Sequence, residues 1–205
     1  MSKVQVDTID TRSGTSTMQI GSTNTSTINI GVSGDTVNIP SGVTIANAGT
    51  ATGFGQTMTP MFAARRTSSQ NIADNTFVKV QFATEDIDTD SAYDNSSNYR
   101  FTVPSGKAGK YLFSFNVALA SLTGVSNAKQ VFVALYKNGS LFLQNFFDGR
   151  NNAYGDGMSG SASFIVDCSA SDYFEVYAKF NDSGGSGGNV QSDAASFSGV
   201  RLLAS

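Results

Sequence analysis

Residues 130–147 read "QVFVALYKNGSLFLQNFF". Two apolar runs flank Asn138-Gly139. Asn-Gly between such runs predicts a two-residue type I′ hairpin, because both turn residues must take positive φ and these two pay least for it. Phe, Val, Leu and Tyr fill the flanks, and these residue types suit a pleated surface. The stretch therefore predicts two antiparallel strands and an all-β domain around them.

Working outward, the pattern repeats. In "YRFTVPSGKAGKYLFSFNVALA" (99–120), Leu112, Ser114, Asn116 and Ala118 alternate against Phe113, Phe115, Val117 and Leu119. That period of two marks a strand with one apolar face. "TFVKVQFAT" (76–84) alternates Phe77, Lys79 and Gln81 against Val78, Val80 and Phe82. "ASFIVDCSASDYFEVYAKF" (162–180) gives two strands across a Ser-rich turn, and "ASFSGVRLLAS" (195–205) gives a last one. About eight strands and no helix are expected after Pro60, which points to a β-sandwich or jelly roll.

The first sixty residues differ. The chain holds fifteen Phe and seven Tyr, yet only Phe54 precedes Phe62. A globular core is therefore expected only in residues 61–205. Residues 1–50 instead carry apolar-x-apolar triplets at Val4/Val6, Met18/Ile20, Ile28/Ile30, Val37/Ile39 and Val43/Ile45. Gly21, Gly31 and Pro40-Ser41-Gly42 follow three of them. Such spacing is too irregular for a strict solenoid. Two readings stay open. One is a flexible Ser/Thr/Gly-rich arm. The other is an intertwined stalk of three chains, with Met18, Ile20, Ile28, Ile30, Val37, Ile39, Val43 and Ile45 turned toward a common axis. Residues 51–60, rich in Gly and Thr, read as a neck.

Composition narrows function. Net charge is −3 over 205 residues and only 14% of residues are charged. No basic surface is expected, so nucleic acid is not an expected partner. No run approaches the length of a membrane span, and "MSKVQVDTIDTRSG" has no apolar signal region. Membrane insertion and export by a standard signal are not expected. Histidine is absent, which removes Ser-His-Asp and Cys-His chemistry. The single cysteine, Cys168, is expected to pack as a small hydrophobe. No set of residues combines nucleophile, base and positioner, and no Gly-rich loop precedes a helix. A non-enzyme is expected.

Three polar stretches could bind something. "EDIDTDSAYD" (85–94) is the densest acidic run. Alternate carboxylates Asp86, Asp88 and Asp90 could coordinate Ca²⁺. Counted from Asp86, however, Ser91 stands where an EF-hand loop needs Gly, and Ser97 where it needs Glu. A solvated acidic loop without cofactor is the plainer expectation. "DGRNNAYGDGMSGS" (148–161) and "NDSGGSGGNVQSD" (181–193) read as long polar loops. Asn152, Tyr154, Asp156, Asn181, Asp182 and Asn189 are the candidate receptor contacts on them, with an ordinary turn the plainer reading around Tyr154. Arg65-Arg66 is read as a solvated strand end, with an anionic surface or the acidic loop of a neighbouring chain as the alternatives.

Taken in order, the motifs of residues 61–205 resemble the C1q/TNF-like jelly roll. They are Phe62-Ala63, Tyr93-Asp94, the Phe101 to Phe113 stretch with its Pro, Gly and Tyr, Asn138-Gly139, Ser171-Asp172-Tyr173-Phe174, and Phe197-Ser198-Gly199 with Leu202-Leu203. Two departures stand out: Ser171 replaces a family Gly, and Lys107, Ala108 and Gly109 lengthen one turn. The resemblance implies a compact homotrimer, Phe and Tyr near its threefold axis, and binding rather than catalysis. "KVQVDTIDTRSGTS" and "INIGVSGDTVNIPSGVTI" also resemble N-terminal regions of fibre-like structural proteins of tailed bacteriophages. This second resemblance implies a virion protein assembled in the host cytoplasm. Its N-terminal segment would join other virion proteins, and its head would display or attach, with a host-surface glycan or protein as ligand. Tail fibre, capsid decoration and a non-viral C1q-like lectin or adhesin all remain open.

Overall fold

The computed structural model describes residues 20–21, 23–46, 58–122, 128–149, 155 and 157–204. The chain divides into two compact units, Met1–Gly53 and Phe54–Ser205. Among the described residues all regular structure is strand, and no helix is long and apolar enough to cross a membrane.

The second unit is two antiparallel sheets. The first has the order β10(Gly157–Cys168), β7(Gly109–Ser121), β12(Gly188–Ala204), β1(Met61–Arg65), β4(Thr84–Asp88), with β2(Gln70–Ile72) also on β12. The second runs β5(Tyr93–Asp94), β6(Arg100–Thr102), β11(Tyr173–Asp182), β8(Ala128–Lys137), β9(Ser140–Asp148), with β3(Val78–Lys79) on β11. Twelve strands replace the eight expected: β2 and β5 are pairings of three and two residues, too short to show a period, β4 lies in the acidic run, and of the alternating 76–84 stretch only Val78–Lys79 pairs on β11.

Alternation in β7 does what the sequence predicts. Phe113, Phe115, Val117 and Leu119 are buried, and Leu112, Ser114, Asn116 and Ala118 face outward. Phe113 is a hub: its ring centroid lies 4.4 Å from Phe174 of the other sheet and 6.1 Å from Phe197. Phe62 stacks on Phe101 at 4.7 Å. Burying each such ring stabilises by roughly 1.5–3 kcal/mol. Gly199 is fixed by this packing, since a Cβ there would stand 2.6 Å from Phe113 Cδ1.

The hairpin forms as read. Asn138 and Gly139 take φ of 53° and 76°, and β8 pairs with β9 from Lys137↔Ser140 onward. Two segments differ from expectation. The first half of the acidic run is strand β4, hydrogen-bonded to β1. Arg66 is not a solvated strand end but 7% exposed. Its guanidinium donates to the carbonyls of Ser68, Gln81 and Ser69 at 2.6, 2.6 and 3.0 Å. Those backbone acceptors make burial of an unpaired cation tolerable.

Within the first unit, residues 20–46 form no strand ladder. Turns fall at 23–24, 33–34 and 41–42. Gly21, Gly31, Gly34 and Gly42 all have positive φ. The 33–34 turn is closed by Val32 N–H to Asp35 Oδ2 at 2.9 Å and by Asp35 N–H to the Val32 carbonyl at 3.0 Å.

Candidate functional site: surfaces for self-association

In residues 20–46 the large apolar side chains are exposed. Ile20, Ile28, Ile30, Val32, Val37, Ile39, Val43 and Ile45 are each between 45% and 78% exposed. These include every described residue of the expected stalk interface; Met18 lies outside the described residues. Eight exposed apolar side chains in 27 residues are more than scattered surface hydrophobes.

In the second unit the outer face of the first sheet carries one apolar row. Register aligns Met61 with Val200, Val200 with Leu112, and Leu112 with Ile165. Ile165 is 63% exposed. Beside it runs a row of small residues, Ala63, Ser198, Ser114 and Ser163. A hollow of about 200 Å³ opens between Met61, Ile87, Leu112 and Val200. Small neighbours let another chain approach such a face closely. The rows themselves contain no aromatic residue.

The exposed aromatics lie instead on β9, at the edge of the second sheet. Phe142 and Phe147 are exposed and Phe146 is 57% exposed. Phe142 meets Phe164 of β10 at 5.8 Å, and Asn145 Nδ2 donates to the Ser161 carbonyl at 3.1 Å. So β9 and β10 form one side of the sandwich. Neither the row nor this edge was singled out from sequence. The signal was present: "SLFLQNFF" places apolar residues on both faces of one strand, which suits a strand covered on both sides.

The acidic run does not gather its carboxylates. Asp86 pairs with Arg65 Nε at 2.9 Å, and Asp90 with Lys107 Nζ at 3.2 Å. Asp88 accepts from the backbone N–H groups of Ala92 and Tyr93 at 3.0 and 2.9 Å, closing the turn after β4. Among the described residues no group of three His, Cys, Asp or Glu side chains is placed to hold a metal. Arg65 thus meets the acidic run of its own chain.

The six loop candidates separate. Asn152, Tyr154 and Asp156 lie outside the described residues. Asn181 and Asp182 end β11, and Asn189 stands in β12. Asp182 is 3% exposed, not displayed on a loop. Its carboxylate accepts from Gly184 and Ser186 N–H at 3.2 and 3.0 Å, and its own N–H donates to Asp74 Oδ1 at 2.7 Å. The turn between β11 and β12 is organised around that side chain.

Comparison with solved structures fixes the fold of the second unit. The globular domain of zebrafish complement 1qA protein is similar over 71% of this chain and 99% of its own, at 15% identity and a TM-score of 0.50. An Eiger TNF from S. frugiperda covers 71% of this chain and 93% of its own, at 9% identity and a TM-score of 0.52. Murine APRIL covers 69% and 98%, at 9% identity and a TM-score of 0.50. No protein-family model and no curated protein sequence matches the chain. The second unit is therefore a C1q/TNF-like jelly-roll head. The likeness is one of fold.

Proposed function

We propose that this chain is a homotrimeric structural protein of a bacteriophage virion, in which residues 1–50 form a three-chain stalk and anchor and the jelly-roll head serves display or host attachment. One observation carries the reading. All eight large apolar residues described in residues 20–46 are exposed in the single chain. Their periodic placement is costly to leave in water and is satisfied by two more copies of the same segment. The apolar row on the head, with the Phe-bearing β9 edge, supports self-association at the other unit: a face and an edge that pair heterologously give a ring where the rotation closes. The virion assignment rests on the resemblance of the N-terminal stretches to phage fibre regions, and it covers both tail fibre and capsid decoration.

The test is particle association. Full-length chain should be found by mass spectrometry in purified particles of a phage that encodes it. Ile28→Asp or Ile39→Asp should remove it from those particles while the far-UV spectrum of the head is retained. Absence of the wild-type chain from the particles overturns the virion assignment.

A further inference from the structure

A polar cleft of about 310 Å³ opens at the β5–β6 edge of the second sheet, where Asp90, Asp94, Asn98, Arg100 and Thr102 are among its lining residues. Asp94 is half of the Tyr93-Asp94 motif, for which the self-association surfaces have no use. Its Oδ1 accepts from the backbone N–H groups of Ser97 and Ser96 at 2.8 and 3.0 Å, and its Oδ2 from Asn98 Nδ2 at 2.7 Å. Oδ1 is filled by these donors and the Ser96 hydroxyl, while Oδ2 keeps a lone pair for a further donor. Asp90 is neutralised by Lys107.

Arg100 is the unspent group. Its guanidinium carbon lies 4.4 Å from the centroid of the Tyr173 ring, which sets its plane. Among the described residues no carboxylate or carbonyl takes its N–H groups. A guanidinium offers five such donors in a fixed fork. Ser91 of the cleft wall takes φ of 50°, and Tyr99, between the lining residues Asn98 and Arg100, takes 48°. A bulky residue in that region is strained, and such strain gathers at binding sites.

We propose that this cleft binds one neutral hexose unit of a surface glycan. Each sugar hydroxyl both donates and accepts. The cleft offers carboxylate oxygens as acceptors beside a guanidinium, an amide and a hydroxyl as donors. Its volume sits at the small end of ligand sites, sized for one ring rather than a long oligomer. A carboxylate-bearing sugar fits worse, because Asp94 stands as an anion beside Arg100. The cleft is at the opposite edge of its sheet from β9, so association through β9 leaves it open. The assignment rests on the attachment role proposed above and names its ligand class.

Full-length protein titrated with the methyl glycosides of galactose, glucose, mannose and N-acetylglucosamine, followed by saturation-transfer NMR, tests it. N-acetylneuraminic acid serves as the charged probe. At least one neutral glycoside should bind, with a Kd on the order of 1 mM. Arg100→Ala should weaken that binding at least tenfold, and Asp94→Asn at least threefold. Absence of binding by all four glycosides, preference for N-acetylneuraminic acid over all of them, or binding indifferent to both cleft variants overturns the assignment. The proposed assembly fails separately: a monomer with Arg100-dependent binding removes the stalk and keeps the cleft.

Discussion

Asn138 Nδ2 donates to an Asp172 carboxylate oxygen at 2.7 Å, tying the β8–β9 hairpin turn to the turn that leads into β11. The link is reciprocal. Tyr173 N–H donates to Asn138 Oδ1 at 2.8 Å, and Asn138 N–H donates to the Tyr173 carbonyl at 2.9 Å. Asn138→Ala removes both side-chain bonds and puts a residue that resists positive φ at 53°. The expected loss is about 1–3 kcal/mol, read as a lower urea midpoint of the head with unchanged slope.

Asp172 also makes the head acid-sensitive. Burial alone would raise its pKa. Hydrogen bonds from Lys137, Asn138 and the Ser169 N–H outweigh burial and hold it below the usual carboxylate range. A depressed native pKa means that the unfolded chain binds the proton first. This contribution to stability is complete above the ordinary carboxylate pKa of about 4 and is lost as pH falls below it. Unfolding midpoints measured from pH 7 down to pH 3 should fall for the wild type, and fall less for Asp172→Asn.

Ser171 takes φ of 72° where the C1q-like pattern has Gly. The position thus keeps the backbone while the residue pays for it. Ser171→Gly removes a left-handed penalty of about 1–2 kcal/mol and adds a glycine entropy cost of about 0.5–1 kcal/mol. The head should gain about 0.5–1 kcal/mol, measured by urea unfolding.

Much of this fold was legible, and its limits are physical. Asn138-Gly139 announced the hairpin because two adjacent positive-φ residues leave few alternatives. The β7 alternation announced its buried face because one face meets the core and the other does not. Strand β4 was hidden, since Glu85, Asp86 and Asp88 look like loop while the partner that straightens them, β1, is twenty residues away. Asp182 was misplaced because an acid in a Gly-Ser run reads as solvated, whereas here N–H groups of its own turn replace the water. The cleft around Arg100 was foreshadowed only by Tyr93-Asp94; Arg100 itself carried no local signal. The isoleucines of residues 20–45 were legible as a pattern, and each of them is exposed in the single chain.

Cys168 should be unreactive in the folded head. It is 3% exposed, and burial pushes its thiol up to about 12. Only the thiolate attacks a disulfide reagent. Modification by an aromatic disulfide at pH 8 should be slower by a hundredfold or more, on the order set by the thiolate fraction, than in urea-unfolded chain. Because the raised native pKa favours the neutral thiol, its contribution to stability is full below pH 9 and declines as pH rises toward 12.

Assembly is the central claim of the proposed function, and the molar mass of the full-length chain in solution tests it most directly. Static light scattering on the eluting peak should give about three times the 21.5 kDa chain mass. Ile28→Asp or Ile39→Asp should lower that value or broaden it while the head's unfolding midpoint stays within about 0.5 kcal/mol of wild type, since the substituted residues lie outside its core. A wild-type mass equal to one chain, with the head folded, would contradict the account.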